Sequence, residues 1–145
     1  MFDDLLRRLT APAPEPLPDT DARLALGALL VRLARSDGDY AKAEIAQIDR
    51  VLMKRYGLSQ AEAATQRTEC EALEAEAPDT VRFTRAIKDA VAHEDRIAVI
   101  AAMWSVVLAD GERDDEEDSL MRMAASLLGI TDQESHRARL SVANG

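Results

Sequence analysis

An all-α fold, a compact bundle of about seven helices with two pseudo-repeated helix pairs, is what this sequence predicts, and three observations carry the expectation. Aromatic residues make up only 3% of the 145 positions, so the apolar supply is aliphatic and Ala-rich, a composition that favours helix over sheet. Apolar residues recur at three- and four-residue spacing, and helix-start and helix-stop residues bound those stretches. No stretch reads as strand. The length fits one domain with a sizeable core.

Phe2, Leu5, Leu6 and Leu9 form one stripe on a short amphipathic helix over residues 1–9. Such a helix is too short to persist alone, so it either packs on the main domain or docks on a partner. Prolines 12, 14, 16 and 18 then favour extended chain, and residues 10–20 read as a linker. The folded domain is expected over residues 21–142. Asp19-Thr20-Asp21 is a capping cluster for a helix over 21–36, in which Leu24, Gly27, Ala28, Val31 and Ala34 share a side. A second helix over 41–56 carries Ile45, Ile48, Leu52 and Tyr56 and ends at Gly57. Ser59-Gln-Ala-Glu62 is a capping box opening a largely polar helix to about 76. Pro78 suits the first turn of a fourth helix over 79–92, holding Val81, Phe83, Ile87 and Val91.

The most apolar segment, Ile97–Ala109, reads as a buried central helix within 94–109; at about 20 Å it is shorter than the roughly 30 Å of a bilayer core. A sixth helix over 114–128 stops at Gly129, and Thr131-Asp-Gln-Glu134 boxes a last one to about 141. Trp104, Met103, Met121 and Met123 are expected in the core.

Eighteen basic against 27 acidic residues give a formal charge of −9, which opposes binding by phosphate neutralisation, so nucleic acid is not an expected partner. The N-terminus Met1-Phe2-Asp3-Asp4 has acids where a secretion signal needs positive charge, and no membrane-spanning segment follows, which favours a cytoplasmic location. Cys70 is the single cysteine, flanked by Glu69 and Glu71 whose charge disfavours a thiolate. His93 and His136 lie in no ligand or general-base motif, and neither a Gly-rich phosphate loop nor a nucleophile elbow is present. Nothing points to an enzyme. A metal-dependent hydrolase would need positioning groups that no motif provides.

Two helix pairs look alike. Arg35-Ser-Asp37-Gly38-Asp39 through Glu44 lies over Leu108-Ala-Asp110-Gly111-Glu112 through Glu117, and Gly57-Leu-Ser-Gln-Ala-Glu62 over Gly129-Ile-Thr-Asp-Gln-Glu134. Each copy has an apolar helix, an Asp-Gly turn followed by another acid, then a helix with Glu in its first turn. As a site, Asp37, Asp39 and Glu44, with Asp110, Glu112, Asp114 and Glu117, supply oxygen ligands for a hard divalent cation, Ca²⁺, Mg²⁺ or Mn²⁺. The spacing matches the last part of an EF-hand loop, but its first two ligand positions would fall at Leu33 and Arg35, and at Val106 and Leu108, none of which can ligate. An EF-hand is excluded. Acids at helix N-termini also serve capping and the helix dipole. Against capping alone stands Asp110–Asp118, with seven acids and one arginine.

The repeated Asp-Gly-acid turn with Glu at the sixth position after Gly, together with Phe83-Thr-Arg-Ala-Ile87 and Leu127-Leu-Gly-Ile130, resembles the TerB-like, tellurite-resistance protein B family over about residues 21–142. The resemblance implies an all-helical domain with acids clustered at the Asp-Gly turns, metal binding at Asp37, Asp39, Glu44, Asp110, Glu112 and Glu117, and a role in bacterial stress responses. It also implies protein partners in assemblies near the inner face of the membrane. Lys42 among the first copy's acids, and Tyr40 in place of a more usual aliphatic, depart from the pattern and weaken the first half-site. The alternative is a metal-independent interaction module whose acidic surface receives a basic partner.

Overall fold

The computed structural model describes residues 19–36, 38, 40–76, 80–110 and 115–144, with no side chain described at 19–22, 110, 115, 116 and 144. The predicted helix over 1–9, residues 10–18 of the proline-rich linker and Pro78 lie outside these residues. Seven α-helices and one 3-10 turn, with no strand, make up the described chain: α1 Asp19–Arg35, α2 Lys42–Tyr56, α3 Gln60–Glu76, α4 Thr80–Ala90, α5 His93–Val107, the 3-10 turn Leu108–Asp110, α6 Asp115–Leu127 and α7 Asp132–Asn144. The fold class is therefore all-α.

The predicted stops at Gly57 and Gly129 and the capping boxes at Ser59 and Thr131 are present, whereas Asp19-Thr20-Asp21, read as a cap, lies inside the first helix. Gly57 and Gly129 terminate α2 and the turn after α6 with φ of 65° and 73°, backbone that a side chain would strain. Ser59 N–H donates to Glu62 Oε1 at 2.8 Å, while Glu62 N–H donates to Ser59 Oγ at 3.1 Å. Thr131 and Glu134 repeat the reciprocal pair at 3.0 and 3.1 Å.

The centre of the bundle is α1, not the helix over 94–109. Leu24–Val31 are buried without a break, followed by Leu33 and Ala34. A helix apolar all round belongs inside, and α1 packs against α3 and α4 and also touches α2, α5 and α6. Its arginines hide this from a hydropathy average. Arg32 reaches out to Glu74 at 3.1 Å and stacks 5.0 Å from the Phe83 ring, so its charge leaves the core while its stem stays in it. In contrast, α5 buries Val99, Ile100, Met103, Trp104, Val106 and Val107 but leaves Ala98 exposed and Ala101, Ala102 and Ser105 half-exposed.

Gly27 sets how closely α1 meets α3, since a Cβ there would overlap Cys70 Sγ. Ion pairs fasten the same layer: Arg35 to Glu74 at 2.8 Å, and Arg67 to both Asp49 at 2.6 Å and Glu71 at 3.1 Å. At the other end α7 packs on α5, where Trp104 Nε1 donates to the buried Ser135 Oγ at 3.1 Å.

Several boundaries and core positions differ from expectation. The helix expected over 21–36 begins at Asp19, because Pro18 restrains only the residue before it and Asp19 is free to turn helical. The last helix runs to Asn144, since Ala138 and Val142 extend its core-facing side by a turn. Met123 is 42% exposed, because Met121, Ala124, Ala125 and Leu128 already occupy the inward spacing of α6. Val81 is 38% exposed for the same reason, Thr80, Phe83, Thr84 and Ile87 filling the inner face of α4.

Candidate functional site

The first acidic turn joins α1 to α2. Gly38 adopts φ of 83°, and its N–H donates to Arg35 O at 3.0 Å, which closes the chain back on the end of α1. Tyr40 then ties the turn to α3: its hydroxyl donates to Glu71 Oε2 at 2.7 Å, and the Arg35 guanidinium lies 4.9 Å over its ring. Burial first, and the Glu71 carboxylate second, push the Tyr40 hydroxyl well above the ordinary tyrosine range. Asp37 and Asp39 lie outside the described residues.

Glu44, in the first turn of α2, has 0% exposure. Its Oε1 accepts the Ala41 N–H at 3.2 Å, half of a capping box whose other half Ala41 lacks the side chain to make. The second acidic turn holds the corresponding residue Glu117, in the first turn of α6 and 1% exposed. Neither glutamate is part of an exposed acidic surface. The 3-10 turn ending at Asp110 packs against α2, the helix that carries Glu44. Glu112, Asp114 and the Asp110 side chain lie outside the described residues.

Among the described residues, no three His, Cys, Asp or Glu side chains converge as a metal-binding group. The EF-hand exclusion has a structural counterpart in Leu33 and Val106, both at 0% exposure in the core. Lys42 is exposed, at the first position of α2, the helix whose interior side holds Glu44.

The remaining candidate groups have structural work. Cys70 is buried against Gly27, and burial first, then Glu69 and Glu71, push its thiol up to about 12, so it is no nucleophile at neutral pH. The sequence pointed only to the two carboxylates; the larger cause is burial. His93 Nε2 lies 3.0 Å from Glu134 Oε2, pinning the start of α5 to the start of α7. Trp104 and Met103 are buried as expected.

Two features were not foreseen. One is the complete burial of Glu44 and Glu117, whose only signal was their shared position in the first helical turn. The other is a groove of about 620 Å³ along α2, α5 and the end of α7, lined by Arg50, Lys54 and Arg55 as well as apolar residues. The periodic pattern of α2 places those cations outside and says nothing of what they face.

The described residues define an all-helical domain in which two helices each bury a glutamate in the first turn. The family model described as Tellurite resistance protein TerB matches residues 23–140, and the chain belongs to that family. No curated protein and no solved structure matches it. Among the described residues no helix is long and apolar enough to cross a membrane.

Proposed function

We propose that this chain is a non-enzymatic, tellurite-resistance-related binding or scaffold domain whose two acidic turns hold a divalent cation. The observation that supports this reading is the burial of Glu44 and Glu117, one in each turn. A buried carboxylate is screened from a nearby cation far less than an exposed one. Glu44 also caps the start of α2 by accepting the Ala41 N–H, and this reading adds an ion to that role. The donor set fits a hard ion, because the turns offer carboxylate oxygens and no thiolate or imidazole. Glu44 and Glu117 would hold the ion from the helical side, and Asp37, Asp39, Asp110, Glu112 and Asp114 would complete its shell. Bound charge would set the relative position of the turns and of any surface next to them.

In this reading the partners are proteins of a stress-response assembly in the cytoplasm, some at the inner face of the membrane, and nucleic acid is disfavoured by the charge of −9. The test is thermal unfolding of chelator-stripped protein with and without Ca²⁺, Mg²⁺ or Mn²⁺. An ion bound by the native state at a thousand times its dissociation constant adds about 4 kcal/mol. We expect one of the three ions to raise Tm in the wild type, and Glu44→Gln or Glu117→Gln to abolish the rise. An unchanged Tm with every ion would overturn the cation site and favour the metal-independent interaction module.

A further inference from the structure

The groove between α2 and α5 has an apolar lining of Val51, Ala98, Ala101 and Ala102, with Val142 at the edge contributed by α7. On α5 the lining recurs at Ala98, Ala101, Ala102 and Ser105, one helical face made of small side chains, so another backbone can approach closely there. On α2 it runs from Gln47 to Arg55, about 12 Å or two turns at the helical rise. Three cations, Arg50, Lys54 and Arg55, stand on the α2 side, and no acid among the described residues lines the groove. Arg50 Nε donates to the uncharged Gln47 at 2.9 Å, and Asp49 beside it in sequence is held instead by Arg67 at 2.6 Å. None of the three cations forms an ion pair among the described residues. The chain as a whole carries a formal charge of −9, so this strip is opposite in sign to the molecule that bears it.

We propose that this groove is the docking site of an acidic amphipathic helix from a partner protein. Its aliphatic stripe lies on Val51 and the α5 alanines, and the carboxylates along one flank meet Arg50, Lys54 and Arg55. Charge complementarity selects the sign, because three cations on one wall and no acid opposite them favour a partner with acids on that side. Concavity selects a helix over a membrane: a bilayer surface is flat and meets only the rim of a trough, whereas a helix seats between two others.

Segments of this chain lack the complement. The exposed large apolar side chains among the described residues, Val81, Met123 and Leu140, are single residues on three different helices, so no described helix of a second copy offers a free stripe. Residues 2–9 are net neutral, with Asp3 and Asp4 against Arg7 and Arg8. A helix of a different protein is therefore the occupant. Exposed ion pairs are individually weak, so burial of the stripe supplies the affinity while the cations set the sign, the register and a salt dependence. This reading is independent of the cation site.

Fluorescence anisotropy on the full chain tests it. The probe is a labelled synthetic peptide of about 18 residues, long enough to be helical alone, with leucines at i, i+3, i+4 and i+7 spacing and glutamates along the flank. A second peptide has lysine at every glutamate position. We expect the glutamate peptide to bind the wild type saturably in the micromolar range. Arg50→Glu with Lys54→Glu should weaken it at least tenfold and strengthen binding of the lysine peptide, an exchange that misfolding would not produce. Arg85→Glu with Lys88→Glu, on the exposed side of α4, makes the same change in net charge away from the groove and should leave the affinity unchanged. Ala98→Trp obstructs the exposed end of the α5 wall with the three cations in place, and should also weaken binding at least tenfold. Absence of saturable binding, equal loss in the α4 variant, or full affinity in Ala98→Trp would overturn the proposal. Binding of phosphatidylglycerol vesicles without binding of the peptide overturns it in favour of a membrane. A wild-type dimer that the Arg50→Glu/Lys54→Glu variant dissolves overturns it in favour of a second copy.

Discussion

Gly27 and Cys70 show how a single contact sets a helix spacing. The thiol occupies the space that a Cβ on α1 would need, so the two residues form one packing unit. Gly27→Ala gains helix propensity but forces α1 and α3 apart, and overpacking of this kind costs typically 1–3 kcal/mol. Chemical denaturation should register that loss as a lower midpoint. Cys70→Ala removes the overlapping sulfur, so the double variant should recover part of the Gly27→Ala loss, a coupling that independent sites would not show. The cysteine was visible in the sequence as unreactive, but its partner was not. Glycine and cysteine 43 residues apart carry no mark of their contact.

At the scale of elements, the capping signals were the most legible part of the chain. A capping box is local, and Ser59–Glu62 and Thr131–Glu134 form in the expected register because three residues suffice to make them. The inner and outer sides of helices were legible where one stripe dominates, and failed at Val81 and Met123, where an apolar residue lies beside a stripe that is already full. Burial of α1 was masked by its arginines, which a hydropathy average counts as exposed. Glu44 and Glu117 share a position in the first turn of their helices, yet their depth depends on which helices close over them, and that is a property of packing.

The second capping box also has a pH signature. The Thr131 backbone N–H, and after it His93, hold the Glu134 carboxyl down at about 2, below its usual range near 4.5. A depressed carboxyl adds stability that is present above its ordinary value and lost as pH falls through the folded one. Wild type should therefore exceed Glu134→Gln in Tm near pH 6, with the advantage shrinking between about pH 4.5 and pH 2. Parallel melting curves across that range would show that the contact carries no charge-dependent stability.

For the whole molecule, the arrangement of contacts predicts a gradient of stability. Because α1 touches five other helices, its amides have no route to solvent that leaves the core intact. In contrast, α7 packs chiefly on α5 and α6, and its opening costs the Trp104–Ser135 hydrogen bond and little of the α1 core. Native-state hydrogen exchange should place the middle of α1 at the global unfolding free energy and α7 at a lower, local one. Similar protection in both helices would mean that α7 is part of the same cooperative unit.

The position of α1 at the head of the folded chain also bears on how the protein is made. A ribosome releases this helix before any of the five that enclose it. With synthesis at about 5–20 residues per second, α1 is without α6 for on the order of ten seconds. Until then a nascent chain exposes Leu24, Leu29 and Leu30 to whatever binds apolar helices in the cell, and folding quality rests on that interval being shielded.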